Sequence, residues 1–332
     1  MNAPPSELRD VRYEVVGLKA EHLPKAAALF LAGYREKRER EPTLPSRHED
    51  ARVVLAKLMD LAQRSLGVVA IRNGRLVGFL LGQTLPSFRG KRTAYSPEWA
   101  NAAQADGRRD IYLAMYAGLS SRWVADGCLT HLISFLAHDG QVADGLSWME
   151  FGLTAVDAIR DLRAVAGTAA DVPIRRAGGD DAEAVLTLCR ALQEHLAAAP
   201  IFRPLTDRME RNMVEKRLAD SNCALWLAWC DDEPAAYMHI QPANPTAAYI
   251  IEDPKTASIK AAFTKECYRG RGLGLALLNR ALEWALSAGY ERCAVDFEPQ
   301  NIPAARFWMK HFRPVCYTMI RRVDGRIGLA AV

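Results

Sequence analysis

Apolar and polar positions along the chain write one pattern twice. Residues 13–16 alternate as a short strand, and Leu23, Ala27, Leu29 and Phe30 then share one face of a predicted helix. The second copy opens with a strand over residues 172–175. Asp180 or Asp181 is a candidate N-cap there, and Val185, Leu188, Leu192 and Leu196 recur at helical spacing. Each copy runs through a polar stretch holding a proline (Pro45; Pro204) into a second helix, over residues 51–63 and 209–218. Two apolar runs around a tight turn follow. The first, residues 67–82, turns at Asn73-Gly74, a strong hairpin signal; the second, residues 224–241, turns at Asp231-Asp232-Glu233-Pro234.

Each copy then predicts a further strand (residues 111–119; residues 258–264), a helix, another strand and a last helix. Residues 86–110 and 242–256 are polar and precede these strands; the first is expected to be a mobile loop. The small-residue stretch 165–172 separates the copies, so the expected division is 1–166 and 172–332. The predicted class is α/β with a mixed sheet: in each domain a mostly antiparallel sheet, helices on both faces, and one parallel strand–helix–strand step.

Composition narrows the function without naming it. The 332 residues are 50% hydrophobic and 25% charged with a net charge of +4, ordinary for a globular protein and too weakly basic for a dedicated nucleic-acid binder. The seven cysteines are odd in number and include no CxxC pair or metal-ligand spacing, so a reducing, cytoplasmic setting and no metal are expected. The N-terminus lacks the apolar run of a signal peptide, and no stretch is long and apolar enough for a membrane span.

The chemistry concentrates after residues 258–264. There Arg269-Gly270-Arg271-Gly272-Leu273-Gly274 opens a helix whose apolar face is Leu273, Leu277, Leu278, Ala281 and Leu282 and whose stop is Gly289. Glycines at a helix start let phosphate oxygens approach main-chain N–H groups, and the helix dipole favours the anion. A nucleoside-triphosphate loop needs a GK[ST] ending, which is absent. A dinucleotide fingerprint needs GxGxxG, whereas this spacing is GxGxG; Asp296, some twenty residues on, keeps that reading open as a ribose-binding acid.

The run Arg269-x-x-Gly272-x-Gly274 resembles the coenzyme A pyrophosphate loop of the GNAT superfamily of N-acetyltransferases. Asn301-x-Pro303-Ala304-x-x-Phe307-Trp308 is similar to that family's segment after its fifth strand. The resemblance spans residues 172–315 and implies an acetyl-CoA-dependent acetyltransferase acting on a primary amine by direct attack in a ternary complex. It implies that main-chain groups of Ala262, Phe263 and Thr264 pair with the pantetheine arm and that a backbone N–H near Phe263 polarises the thioester. It also implies that Arg269, Gly270, Arg271, Gly272, Leu273 and Gly274 hold the pyrophosphate. Asn301 would hydrogen-bond the pantetheine or orient the last helix, Ala304 and Phe307 would line the adenine or pantetheine side, and Trp308 counts among the cofactor-binding residues.

A primary amine is only ~0.1% neutral near pH 7.4, so a base is needed. Glu252 and Asp253 precede one splaying strand, and Asp296 and Glu298 end the other; Glu252 and Glu298 are the favoured bases. One departure stands out. Trp308 occupies the place of the family's tyrosine acid, and an indole releases no proton at neutral pH, which leaves Tyr268, Tyr317 or water.

In the first copy the segment after residues 111–119 reads Ser-Ser-Arg-Trp-Val-Ala-Asp-Gly over 120–127. One glycine beside Trp123 cannot make the cradle, so this copy is expected to be degenerate. The expected acceptor is a small amine or amino-acid-like molecule, with no nucleic-acid or membrane partner, in a monomer or homodimer. The competing readings are a non-catalytic acyl-CoA-binding regulator, motivated by Trp308, and a dinucleotide-dependent oxidoreductase.

Overall fold

The structure is a computed structural model and describes residues 13–328 except Ala169, Asp207 and 244–246. The chain divides into two compact units. One takes in Met1–Glu36, Arg47–Gly152 and Met319–Val332; the other takes in Lys37–Ser46 and Leu153–Thr318.

The first unit follows β1 (Glu14–Gly17), α1 (Leu23–Arg40), α2 (Ala51–Ala62), β2 (Leu66–Arg72), β3 (Arg75–Phe88), β4 (Lys91–Ser96), β5 (Asn101–Ala103), α3 (Arg108–Ala125), β6 (Thr130–Leu136) and α4 (Gly140–Trp148). Its sheet runs β1-β2-β3-β4-β6. Only the β4–β6 step, bridged by α3, is parallel among these pairs. The β2–β3 turn has Asn73 and Gly74 at φ +52° and +72°, as the Asn-Gly signal requires.

The second unit holds β7 (Gly152–Asp161), β8 (Ile174–Arg176), α5 (Ala182–Ala197), α6 (Arg211–Ala219), β9 (Ala224–Cys230), β10 (Glu233–Pro242), β11 (Thr256–Thr264), α7 (Leu273–Ser287), β12 (Arg292–Phe297), α8 (Ile302–His311) and most of β13 (Arg313–Arg322). Its sheet runs β7-β12-β11-β10-β9-β8, with β11–β12 as the parallel step, bridged by α7. β7 lies before the 166/172 division expected from sequence yet belongs to this unit, antiparallel to β12.

Strand alternation packs both faces of the second sheet. Ala236, Met238 and Ile240 of β10 join Leu273, Leu277, Leu278 and Leu282 of α7 in one core. Tyr237 turns the other way, to Val185, Leu188 and Cys189 of α5 and Val214 of α6. At roughly 1.5–3 kcal/mol for each large apolar side chain buried, these two cores fix α7 and α5 against opposite faces of β10.

Two expectations for the first unit are corrected. Residues 111–119 are not a strand but lie inside α3. Ile111, Tyr112, Met115, Tyr116, Leu119 and Trp123 are its buried stripe, a helical period that a dense apolar run conceals. Residues 86–110 are not a loop throughout; they carry β4 and β5. β4 reads as polar because two of the three residues it buries are Thr93 and Ser96, the third being Ala94. The segment equivalent to the glycine loop is therefore the one before α3, ending at Gly107, and not residues 120–127. Asp181 is the N-cap residue of α5, as expected, but its carboxylate accepts from Arg175 at 2.6 Å and from the Gly178 N–H at 2.8 Å and not from the helix.

Candidate active site

A single extra residue opens the site. β10 pairs Ile240 with Ile259 and His239 with Ala261, so Lys260 of β11 has no partner across the ladder. A bulge of this kind bends its strand. The parallel pairing of β11 with β12 runs from Thr256–Arg292 to Ile259–Val295 and ends there. Residues 261–264 keep β10 on one side and leave their other edge to a cavity of about 600 Å³ within the second unit. Ala262, Phe263 and Thr264 line it.

The glycine loop forms the next wall. Gly270 and Gly272 have φ of +78° and +83°, left-handed values that side chains resist. A β-carbon at Gly270 would meet nothing within 4 Å, so open space lies over the loop. Gly272 is the N-cap of α7 and its carbonyl accepts from Ala276 at 3.0 Å. No side chain caps this helix, so its first-turn N–H groups are left for a ligand. Gly270, Gly272, Leu273 and Gly274 line the cavity, as does Arg269, whose Nε donates to the Thr264 carbonyl at 3.2 Å. Arg271 is outside the lining and lies over the Tyr268 ring at 5.1 Å.

α8 and its N-cap supply a further wall through Asn301, Ala304, Phe307 and Trp308. Phe307 packs on Gly274: a β-carbon there would be 3.3 Å from its ring, so this glycine is needed for helix-to-helix approach. Trp308 is buried, edge-on to Phe307 at 4.9 Å and to Phe312 at 5.5 Å, and acts as core. The apolar wall with a few polar groups at one end is the usual make-up of a small-molecule site.

The cavity wall includes neither Glu252 nor Glu298. Glu252 is exposed after a short 3-10 turn, and Glu298 pairs with Arg203 at 2.7 Å. Asp296 is exposed on β12, and Asp253 pairs with Arg292 at 2.9 Å. Of the tyrosines named from sequence, Tyr317 is outside the lining. The Tyr268 hydroxyl donates to Glu233 at 2.8 Å, a bond that raises its pKa.

One residue escaped the sequence reading. His195, in the last turn of α5, lines the cavity; its Nε2 is 3.1 Å from Asn301 Oδ1 and its ring centroid is 6.0 Å from that of Phe263. It continues the inward stripe of Val185, Leu188 and Leu192, and an imidazole on an otherwise apolar face was the available signal.

The family model described as "Acetyltransferase (GNAT) family" matches residues 190–312. A search of curated proteins finds no match. Among solved structures, a GCN5-related N-acetyltransferase from Sphaerobacter thermophilus is similar at 14% identity and a TM-score of 0.55. The alignment covers 93% of this chain and 95% of that one, a likeness of fold over nearly the whole length. A tandem GNAT protein from the clavulanic acid biosynthesis pathway aligns at 17% identity and a TM-score of 0.46, over 94% of this chain and 99% of that one. Among the described residues no helix is long and apolar enough to cross a membrane.

Proposed function

From a chain whose residues 190–312 match the GNAT acetyltransferase family model, we propose an acetyl-CoA-dependent N-acetyltransferase that acts on the primary amine of a small acceptor. The observation that carries this reading is the loop of left-handed Gly270 and Gly272, open at Gly270 and leading into an uncapped α7, on the wall of a cavity that the unpaired edge of β11 also lines.

The residues present fit coenzyme A along its length. Amides at the start of α7, with Arg269 beside them, suit a pyrophosphate, each charged hydrogen bond being worth roughly 1.5–3 kcal/mol. The unpaired edge at residues 262–264 suits the amides of a pantetheine arm, which adds to a sheet as a strand does. Ala304, Phe307 and Trp308 give it an apolar flank. The arm's sulphur end then falls where β11 and β12 part, and an N–H near Phe263 is placed to polarise a thioester carbonyl. Attack is direct. Cys267 is exposed outside the cavity wall, so no cysteine on that wall offers an acyl-enzyme route.

In a dinucleotide site Asp296 would have to reach the ligand's ribose, and it is exposed on β12 outside the wall. Titration calorimetry with acetyl-CoA, followed by thiol release in the presence of a primary-amine panel, tests the proposal. Binding with amine-dependent release is expected. No heat with acetyl-CoA overturns it, and binding without release across the panel favours the regulator.

A further inference from the structure

We propose that His195 is the proton carrier of the transfer; this rests on the acetyltransferase reading of the same cavity. The imidazole lies past the point where β11 and β12 separate, bonded to Asn301, four residues after the end of β12, and beside Phe263 on the unpaired stretch of β11. Both residues lie beyond the last β11–β12 pair, Ile259–Val295, the region to which the proposed function assigns the acyl end. Asn301 Oδ1 only accepts, so in the neutral ring Nε2 carries the hydrogen and Nδ1 carries the lone pair.

Several other proton-bearing groups on the wall are committed elsewhere, and the wall also carries Lys310 and the Thr168 and Thr264 hydroxyls. The Tyr237 hydroxyl is fully buried against Cys189, and burial raises its pKa well above the ordinary value. The Tyr268 hydroxyl donates to Glu233. Trp308 has only an indole N–H, and His311 packs on the Phe307 ring at 4.7 Å, with its pKa lowered by burial.

One imidazole then serves both ends of the reaction. As the nitrogen lone pair of the neutral amine forms the C–N bond, His195 Nδ1 takes the proton that nitrogen gives up. The C–S bond breaks with its electron pair leaving on sulphur. The imidazolium returns the same proton to the thiolate, so amide and coenzyme A thiol are the balanced products. General catalysis of this kind is worth about 10²–10⁴-fold.

The test compares wild type with His195→Ala and His195→Gln, after melting curves confirm that all three are folded. Acetyl-CoA affinity is measured by calorimetry and turnover by thiol release with primary alkyl amines and free amino acids. The expected result is an affinity within about threefold of wild type and kcat lower by about 10²-fold or more. Added imidazole should restore activity to His195→Ala and leave wild type unchanged. Independently of turnover, ¹⁵N-histidine spectra should show His195 with hydrogen on Nε2 and an Nδ1 resonance that moves on adding acetyl-CoA. Unchanged kcat in both variants, a loss that only follows affinity, absent imidazole rescue, or hydrogen on Nδ1 overturns the role. Wild type that binds acetyl-CoA yet acetylates none of the amines also overturns it. Wild type that fails to bind acetyl-CoA instead overturns the acetyltransferase reading beneath it.

Discussion

The two units begin their bridging helices in the same way and use them oppositely. α3 and α7 each start on a left-handed glycine, Gly107 at φ +71° and Gly272 at φ +83°, with no side-chain cap. At α7 the approach is clear, since a β-carbon on Gly270 would touch nothing. At α3 a β-carbon on Gly107 would sit 2.6 Å from the Tyr13 hydroxyl. Arg72 lies over the Tyr13 ring at 5.9 Å and pairs with Asp106 at 2.9 Å, so the protein's own side chains fill the space. Uncapped amides and a helix dipole are common to both; what separates the candidate ligand site from the structural joint is whether the protein's own side chains occupy the volume in front of them.

The strongest way to break this comparison is to put a side chain on each glycine. Gly272→Val should lower acetyl-CoA affinity by about 100-fold or more in calorimetry, the loss of two charged hydrogen bonds. Gly107→Val should lower the melting temperature and leave that affinity alone. If both weaken binding alike, the distinction between the starts is false.

Next in size is acid sensitivity, because each unit has a buried histidine whose pKa burial lowers. Burial lowers His131 in the first unit and His239 in the second to about 4. An unfolded chain protonates its imidazoles near pH 6.5, so stability is full above that value and falls as pH drops from about 6.5 to about 4. The loss is at most about 3 kcal/mol per site. His131 accepts from Tyr116 at 2.8 Å and its Nε2 donates to the Cys128 carbonyl at 2.9 Å, whereas neither His239 nitrogen has a hydrogen-bond partner among the described residues. Chemical denaturation of His239→Leu should therefore show a flatter acid limb at little cost near pH 7. His131→Leu should cost about 1–3 kcal/mol at pH 7, because it strands two buried partners.

Smaller still is Arg269→Ala, expected to weaken acetyl-CoA binding about tenfold, more at low salt than at high. Arg72→Ala should not change it. The smallest expected effect is that of Tyr13→Ala combined with Asp106→Ala. Clearing the front of α3 should leave binding at one molecule per chain, because Gln104-Ala105-Asp106 supplies no second glycine for the loop.

Much of this is legible from residue order. The α7 loop and the Asn301–Trp308 segment announce the cavity because glycine at left-handed positions and small residues at close helix contacts are requirements of the backbone itself. Both hairpins are readable from their turn residues. α3 misleads because Ile111, Tyr112, Met115 and Tyr116 are dense enough to pass for a strand, while β4 hides behind buried Thr93 and Ser96. Glu252 and Glu298 look like bases because they flank the right strands. Which carboxylate turns toward a cavity depends on partners such as Arg203, far away in sequence. His195 is marked in the sequence only as an imidazole on an apolar stripe, because its partner, Asn301, lies 106 residues away.

The surplus residue at Lys260 has a consequence for engineering. It works as a spacer, so its worth lies in its presence and not in its side chain. Exchanging Lys260 for another residue should therefore be mild, whereas excising it would let the two parallel strands zip further and close the slot. Shortening the protein by one residue there would cost more function than altering most of the residues that face the substrate.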